Sequence, residues 1–278
     1  MSRISTVLGV IVPVMIASGS KPARVVRRWL AEATDGANAA AATQAAITIG
    51  EESLVWLALH HDRADARQRA LEYLASRLPD PLPAELLALA NDKGSCVRRS
   101  LAAILGSRPH PEYFPVLMQL TLDRWSDAEP HYQEPDSYPV PREAVAALET
   151  YASLGDETGT KLIALARATS DRQLRRDSLS AAARLCGPAI RRQIWSLFAD
   201  KALGWLRVDA TDALSAASEV ELEIVGKITA ERLMKLPAPL AASATILVGA
   251  HLPVADPSRY LSGSDIPNRT EHCCCSGS

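Results

Sequence analysis

The sequence predicts an all-α chain, an α-solenoid (superhelix) of stacked antiparallel helix pairs. Three observations predict it. Apolar residues recur at helical spacing from end to end, without strand-like alternation. The core must be built from Leu, Ala, Val and Ile, because aromatics make up 5% of the chain and only two are Phe; alanine favours helices because it loses no side-chain entropy and lets them pack closely. Finally, one phrase returns at a nearly fixed period, the mark of stacked supersecondary units. It is an Asp, then an Arg, then a small-residue helical run: "DRADARQRALEYLASRL" from Asp62, "DKGSCVRRSLAAILGS" from Asp92, "SDRQLRRDSLSAAARLC" from Ser170. Arg67, Arg98, Arg142, Arg175 and Arg207 anchor successive copies at intervals of 31, 44, 33 and 32 residues. The second interval is the longest, by about a dozen residues.

From the start of the chain, Ile4, Val7, Leu8, Ile11, Val14 and Met15 follow helical spacing and predict a packed first helix. The same stretch has an alternative reading. Arg3, the apolar run from Val7 to Ala17 and the small residues after it give residues 1–19 the three-region layout of a secretory signal. Pro13 inside the run and Lys21, Arg24, Arg27 and Arg28 beyond it count against export, and the run is too short to cross a membrane. Val25, Val26, Trp29 and Leu30 predict the next helix, and an Ala-rich helix begins at Ala39; residues 1–50 form an N-terminal helical cap.

Residues 51–236 form the repeat array. After each anchor, small and apolar residues occupy one helix face: Ala70, Leu71, Leu74 and Leu78; Leu101, Ile104 and Leu105; Ala144, Val145 and Leu148, one residue out of register; Leu179, Ala182 and Ala183; Ala210, Ala213 and Leu214. Between these runs lie partner helices, "PAELLALAN" from Pro83, "PEYFPVLMQLTLD" from Pro111, "DETGTKLIALARA" from Asp156 and "PAIRRQIWSLFAD" from Pro188. Three begin with proline, which suits a first turn where the missing N–H has no intrahelical partner. Residues 237–260 hold a C-terminal capping helix centred on Leu240–Ala250, and 261–278 read as a polar, turn-rich, disordered tail.

The phrases "SCVRRSLAAILG" and "LGDETGTKLIALARATSDRQLRRDSLSAAARL" resemble HEAT repeats, especially the short bacterial type related to phycobilisome-lyase repeats. The Asp in the loop, the Arg opening the second helix, the small residues one turn on and the closing Leu-Gly carry the resemblance from about Glu51 to Leu236. It implies a right-handed superhelix whose second helices line a concave surface. It also implies, as the alternative to a scaffold, an enzyme or accessory of the bilin lyase-isomerase or DNA glycosylase type. In such a stack a loop Asp accepts hydrogen bonds from a neighbouring repeat's Arg or from helix N-terminal amides.

A net charge of −2 gives no overall attraction to nucleic acid or to anionic membranes. Five cysteines, Cys96, Cys186 and the run Cys273, Cys274 and Cys275, are neither a disulfide framework nor a CxxC zinc site, which fits reduced thiols in the cytoplasm. Cys96 and Cys186 are expected to be buried. GxSxG, P-loop and GxGxxG motifs are absent, so no catalytic residue, metal ligand or cofactor is assigned.

The candidate binding element fills the long interval, "DRWSDAEPHYQEPDSYPVPRE", an inserted loop over 123–143. Insertions in solenoids emerge on one face, often the binding face. Trp125, Tyr132 and Tyr138 on a proline-stiffened segment supply contact area at low entropy loss, Asp127, Glu129 and Glu134 give it acidic character, and His131 adds a further polar group. The expected partner is a protein. Arg172, Arg175 and Arg176 are candidate anion-binding groups in a basic stretch whose nearby carboxylates, Asp171, Asp177 and Asp200, also suit an ion-paired surface.

Overall fold

The computed structural model describes residues 22–125, 137–199, 204–217, 220, 222–225, 228 and 230–251. The expected helix over Ile4–Met15, most of the inserted loop and the tail 261–278 lie outside them. Among the described residues the secondary structure is helical throughout, with no strand.

Helices α1 (Pro22–Glu32) and α2 (Gly36–Thr48) open the chain. α2 starts on an N-cap, the Asp35 carboxylate accepting the Asn38 amide at 2.9 Å. It ends on Gly50 at φ 72°, whose left-handed conformation lets Gly50 N donate to Ile47 O and Glu51 N to Ala46 O, a Schellman closure that glycine makes at no steric cost. Then α3 (Glu52–Ala58) pairs with α4 (Ala64–Arg77). The "PAELLALAN" segment splits into α5 (Ala84–Leu87) and a 3₁₀ turn (Ala88–Asn91), which packs on α6 (Ser95–Ser107). A 3₁₀ turn (Pro111–Tyr113) leads into α7 (Phe114–Leu120), paired with α8 (Pro139–Leu148). Next, α9 (Asp156–Ala168) pairs with α10 (Arg172–Leu185), and α11 (Pro188–Ala199) with α12 (Gly204–Ser215). Short α13 (Leu222–Val225) and α14 (Ala230–Met234) lie against α15 (Ala238–His251).

The second helices stack in series: α2 on α4, then α6, α8, α10, α12 and α15, each touching the one before. The first helices form the other layer. This succession of pairs is compatible with a solenoid. One continuous core runs between the layers, from Val26 and Leu30 at one end to Leu247 at the other. Small residues set the spacing: Ala70, Ala102, Ala144, Ala182 and Ala210 are fully buried on successive second helices. Two second helices come close at Gly106 on α6, where an added Cβ would stand 2.7 Å from Ala147 Cβ and 2.8 Å from its Cα on α8. Cys186 is buried as expected, but Cys96 is exposed: it occupies the second position of α6, on the side turned away from Val97 and Leu101.

Candidate functional site

The returning Asp and Arg meet across the unit boundary. Arg67, on the first turn of α4, donates Nε and Nη2 to Asp92 Oδ2 and Oδ1, both at 2.6 Å, and Nη1 to the carbonyls of His61 and Asp62. Arg98 on α6 repeats this with Asp123, donating Nε to Oδ2 and Nη2 to Oδ1, and Nη1 to Asp92 O. Arg142 on α8 pairs with Asp171 at 2.7 and 2.6 Å. The register slip at Arg142 leaves its side chain able to make the same fork, and planar guanidinium against carboxylate fixes how one unit sits on the next.

Each carboxylate also closes its own loop. Asp92 accepts Gly94 N at 2.6 Å, and Asp123 accepts Trp125 N at 2.8 Å, both two residues on, as short acidic side chains do in turns. Asp171, which caps α10, accepts Leu174 N and Tyr138 N at 3.0 Å each. Burial alone would push the Asp92 and Asp171 carboxyls up. The paired arginines and the loop amides outweigh it and hold both below the usual carboxylate range.

Two of these pairs fix the ends of the inserted loop. At the first end the chain leaves α7 through Asp123, held by Arg98, and the Trp125 amide is tied to the same carboxylate. At the second end Tyr138, packed against the core, hands its amide to Asp171 beside Arg142. The first end carries the apolar surface. Leu122 is 69% exposed and Trp125 44%, while Leu117 and Leu120 just before them are buried. An opening of about 380 Å3 lies against this end, lined by Asn91, Arg98, Gln119, Leu122 and Asp123. Large side chains held outward beside a fixed backbone suit a docking surface, because little further ordering is required to bind through them.

Of the other predicted loop residues, Asp127, Glu129, His131, Tyr132 and Glu134 lie outside the described residues. The three candidate anion-binding arginines do not form one anion site, and two of them face the same carboxylate, Asp209. Arg175 is turned inward, donating Nε to buried Asp209 at 2.6 Å, with its guanidinium 4.2 Å from the centre of the Trp205 ring. Arg176 is exposed with Nε 4.0 Å from Asp209 Oδ1, and Arg172 is exposed at the start of α10. Adjacent residues on a helix diverge by about 100°, which separates Arg175 from Arg176, and the Asp209 carboxylate already stands where these two would hold an anion.

The remaining surface of the second helices is knitted by pairs between neighbours, Ser100 with Glu72, Arg99 with Glu143 and Arg184 with Glu149. Burial pushes the Glu149 and Asp177 carboxyls up on this face. Among the described residues no three His, Cys, Asp or Glu side chains are grouped so as to hold a metal ion, and no helix is long and apolar enough to cross a membrane.

The sequence carried a sign of the carboxylates that hold the loop, since an Asp follows Arg67 and Arg98 by 25 residues each. It carried none for Leu122, whose outward position depends on where α7 ends. Compared with known proteins, the chain matches no family model and no curated protein.

Proposed function

We propose that the chain is a non-enzymatic, HEAT-like repeat scaffold of the cytoplasm that binds a protein partner through the concave face of a superhelix and through the acidic, aromatic insertion. The observation that carries this reading is the anchored first end of the loop, with Leu122 and Trp125 exposed beside the Arg98–Asp123 pair. Trp125 and Leu122 act as apolar anchors, Tyr138 sets the return of the loop, and Asp127, Glu129, His131, Tyr132 and Glu134 contribute polar and acidic groups to the partner contact.

Deleting residues 126–136 and, separately, replacing Trp125 by Ala and Leu122 by Asp tests it. Partners captured by the tagged intact chain in its own cells are identified by mass spectrometry, purified, and titrated against each variant. A partner whose affinity falls by tenfold or more in all three variants, at unchanged helical circular dichroism, supports the reading; equal affinities overturn it. The intact mass of the protein from those cells tests the cytoplasmic assignment, because loss of residues 1–19 would place it in the export route.

A further inference from the structure

At the N-terminal end of the array, a cleft of about 440 Å3 opens between α1 and the loop joining α3 to α4. Its volume falls within the roughly 300–1,000 Å3 of small-molecule sites. The apolar wall is Leu57, backed by the buried Leu30; Leu57 is 47% exposed although it belongs to a helix whose neighbouring residues Leu54, Val55 and Ala58 are buried. The polar rim is Arg27, Thr34, His60 and Arg63, all exposed.

Neither Arg27 nor Arg63 has a carboxylate of the described residues within ion-pair distance. Nearby arginines do: Arg28 pairs with Glu32 and Arg67 with Asp92. The one carboxylate lining the cleft, Asp62, lies 3.6 Å from the Lys93 ammonium. The walls are joined by His61, whose Nε2–H donates to Leu30 O at 2.9 Å while Nδ1 accepts the Arg63 amide at 3.0 Å. Backbone from both sides is therefore tied together through one imidazole.

We propose that this cleft binds a small organic anion, a carboxylate or phosphate monoester bearing an apolar group about the size of a phenyl ring. Guanidinium forks hold such anions through paired charge-assisted hydrogen bonds, and the apolar group covers Leu57. The two arginines supply the charge, and the leucine wall excludes fully hydrated ions from equal affinity.

The test is calorimetric titration of the full chain, at low ionic strength, with phenyl phosphate and with phenylacetate, and with inorganic phosphate and benzyl alcohol as half-probes. One-to-one saturable binding of either aromatic anion is expected, at least about tenfold tighter than either half-probe and weakened about tenfold by Arg27→Gln or Arg63→Gln. The tighter of the two anions identifies the headgroup. Absence of saturable binding by both anions overturns the proposal, as does affinity unchanged in both arginine variants, or inorganic phosphate binding as tightly as phenyl phosphate. Should an arginine variant lose helicity, Leu57→Asp decides by the same outcomes, since a charge on the apolar wall must weaken the aromatic anions.

Discussion

Arg67 and Arg175 hold the same place near the start of their helices, yet each reaches its carboxylate by a different route. Arg67 forks onto Asp92 in the loop ahead of the next second helix, 25 residues on, and ties down two carbonyls behind it. Arg175 reaches 34 residues on, to Asp209 inside α12, through its Nε, and the exposed Trp205 ring lies against its guanidinium. The first arrangement joins loop to helix and recurs at Arg98 and Arg142; the second joins helix to helix. Among the described residues the series also stops at both ends. Ala39, one turn into α2, brings no guanidinium to Asp62, which is left to Lys93. Arg207 donates to Phe198 O and stacks on the Phe198 ring. Among the described residues the regular pairs run from Arg67 to Asp171, and two of them hold the ends of the insertion.

Asp171→Ala should have the largest effect. It removes the fully buried acceptor of the Tyr138 and Leu174 amides and one partner of Arg142, and leaving a buried donor unsatisfied costs about 1–3 kcal/mol for each such group. A urea midpoint within error of the parent would show that these loop pairs do not hold the units together.

The same carboxylates set the response to acid. Asp92 and Asp171 have folded pKa values below the unfolded value of about 3.9, so their stabilisation is complete above that value and is lost as pH falls through the folded ones. Glu149 and Asp177 have the opposite sign: raised by burial, they disfavour the fold once charged, and protonation relieves this as pH drops. Asp171→Asn should therefore flatten the acid limb of a stability–pH curve below about pH 4. A limb of unchanged slope would remove Asp171 from the account.

Gly106→Ala comes next. Helix propensity alone favours alanine by about 1 kcal/mol, but the new Cβ would meet Ala147 backbone across the unit that carries the insertion. Overpacking of this kind costs about 1–3 kcal/mol, so a net loss in thermal midpoint is expected. Trp205→Ala should cost about 1 kcal/mol through the lost cation–π contact. A cost as large as that of Asp171→Ala would make the two kinds of pair energetically equivalent. Asp62→Ala, on an exposed pair beyond the end of the series, should leave the midpoint unchanged; a measurable drop would extend the regular series by one unit.

Much of the fold was legible in periodicity. The predicted spans at Asp156 and Pro188 coincide with α9 and α11, because amphipathic spacing and a first-turn Pro or acid are local signals, and the apolar run centred on Leu240–Ala250 lies within α15. Break-up of "PAELLALAN" into α5 and a 3₁₀ turn was not legible, nor was exposure of Cys96, because both depend on what the neighbouring unit presents. The basic stretch shows the same limit: Arg175 and Arg176 both approach Asp209, yet the first is buried and the second exposed, and which is which depends on where α12 stands.

The sequence by itself determined that this is a helical chain of repeated pairs, where its period breaks, and which small residues let the helices approach. Those properties follow from the intrinsic preferences of short segments and from spacing along one helix. Only the tertiary structure decided which Asp answers which Arg, that Asp209 replaces a loop carboxylate in the last pair, and that Leu122 and Trp125 remain exposed beside Asp123. A hydrogen bond between units 25 to 34 residues apart depends on how they are stacked, and no local pattern encodes that geometry.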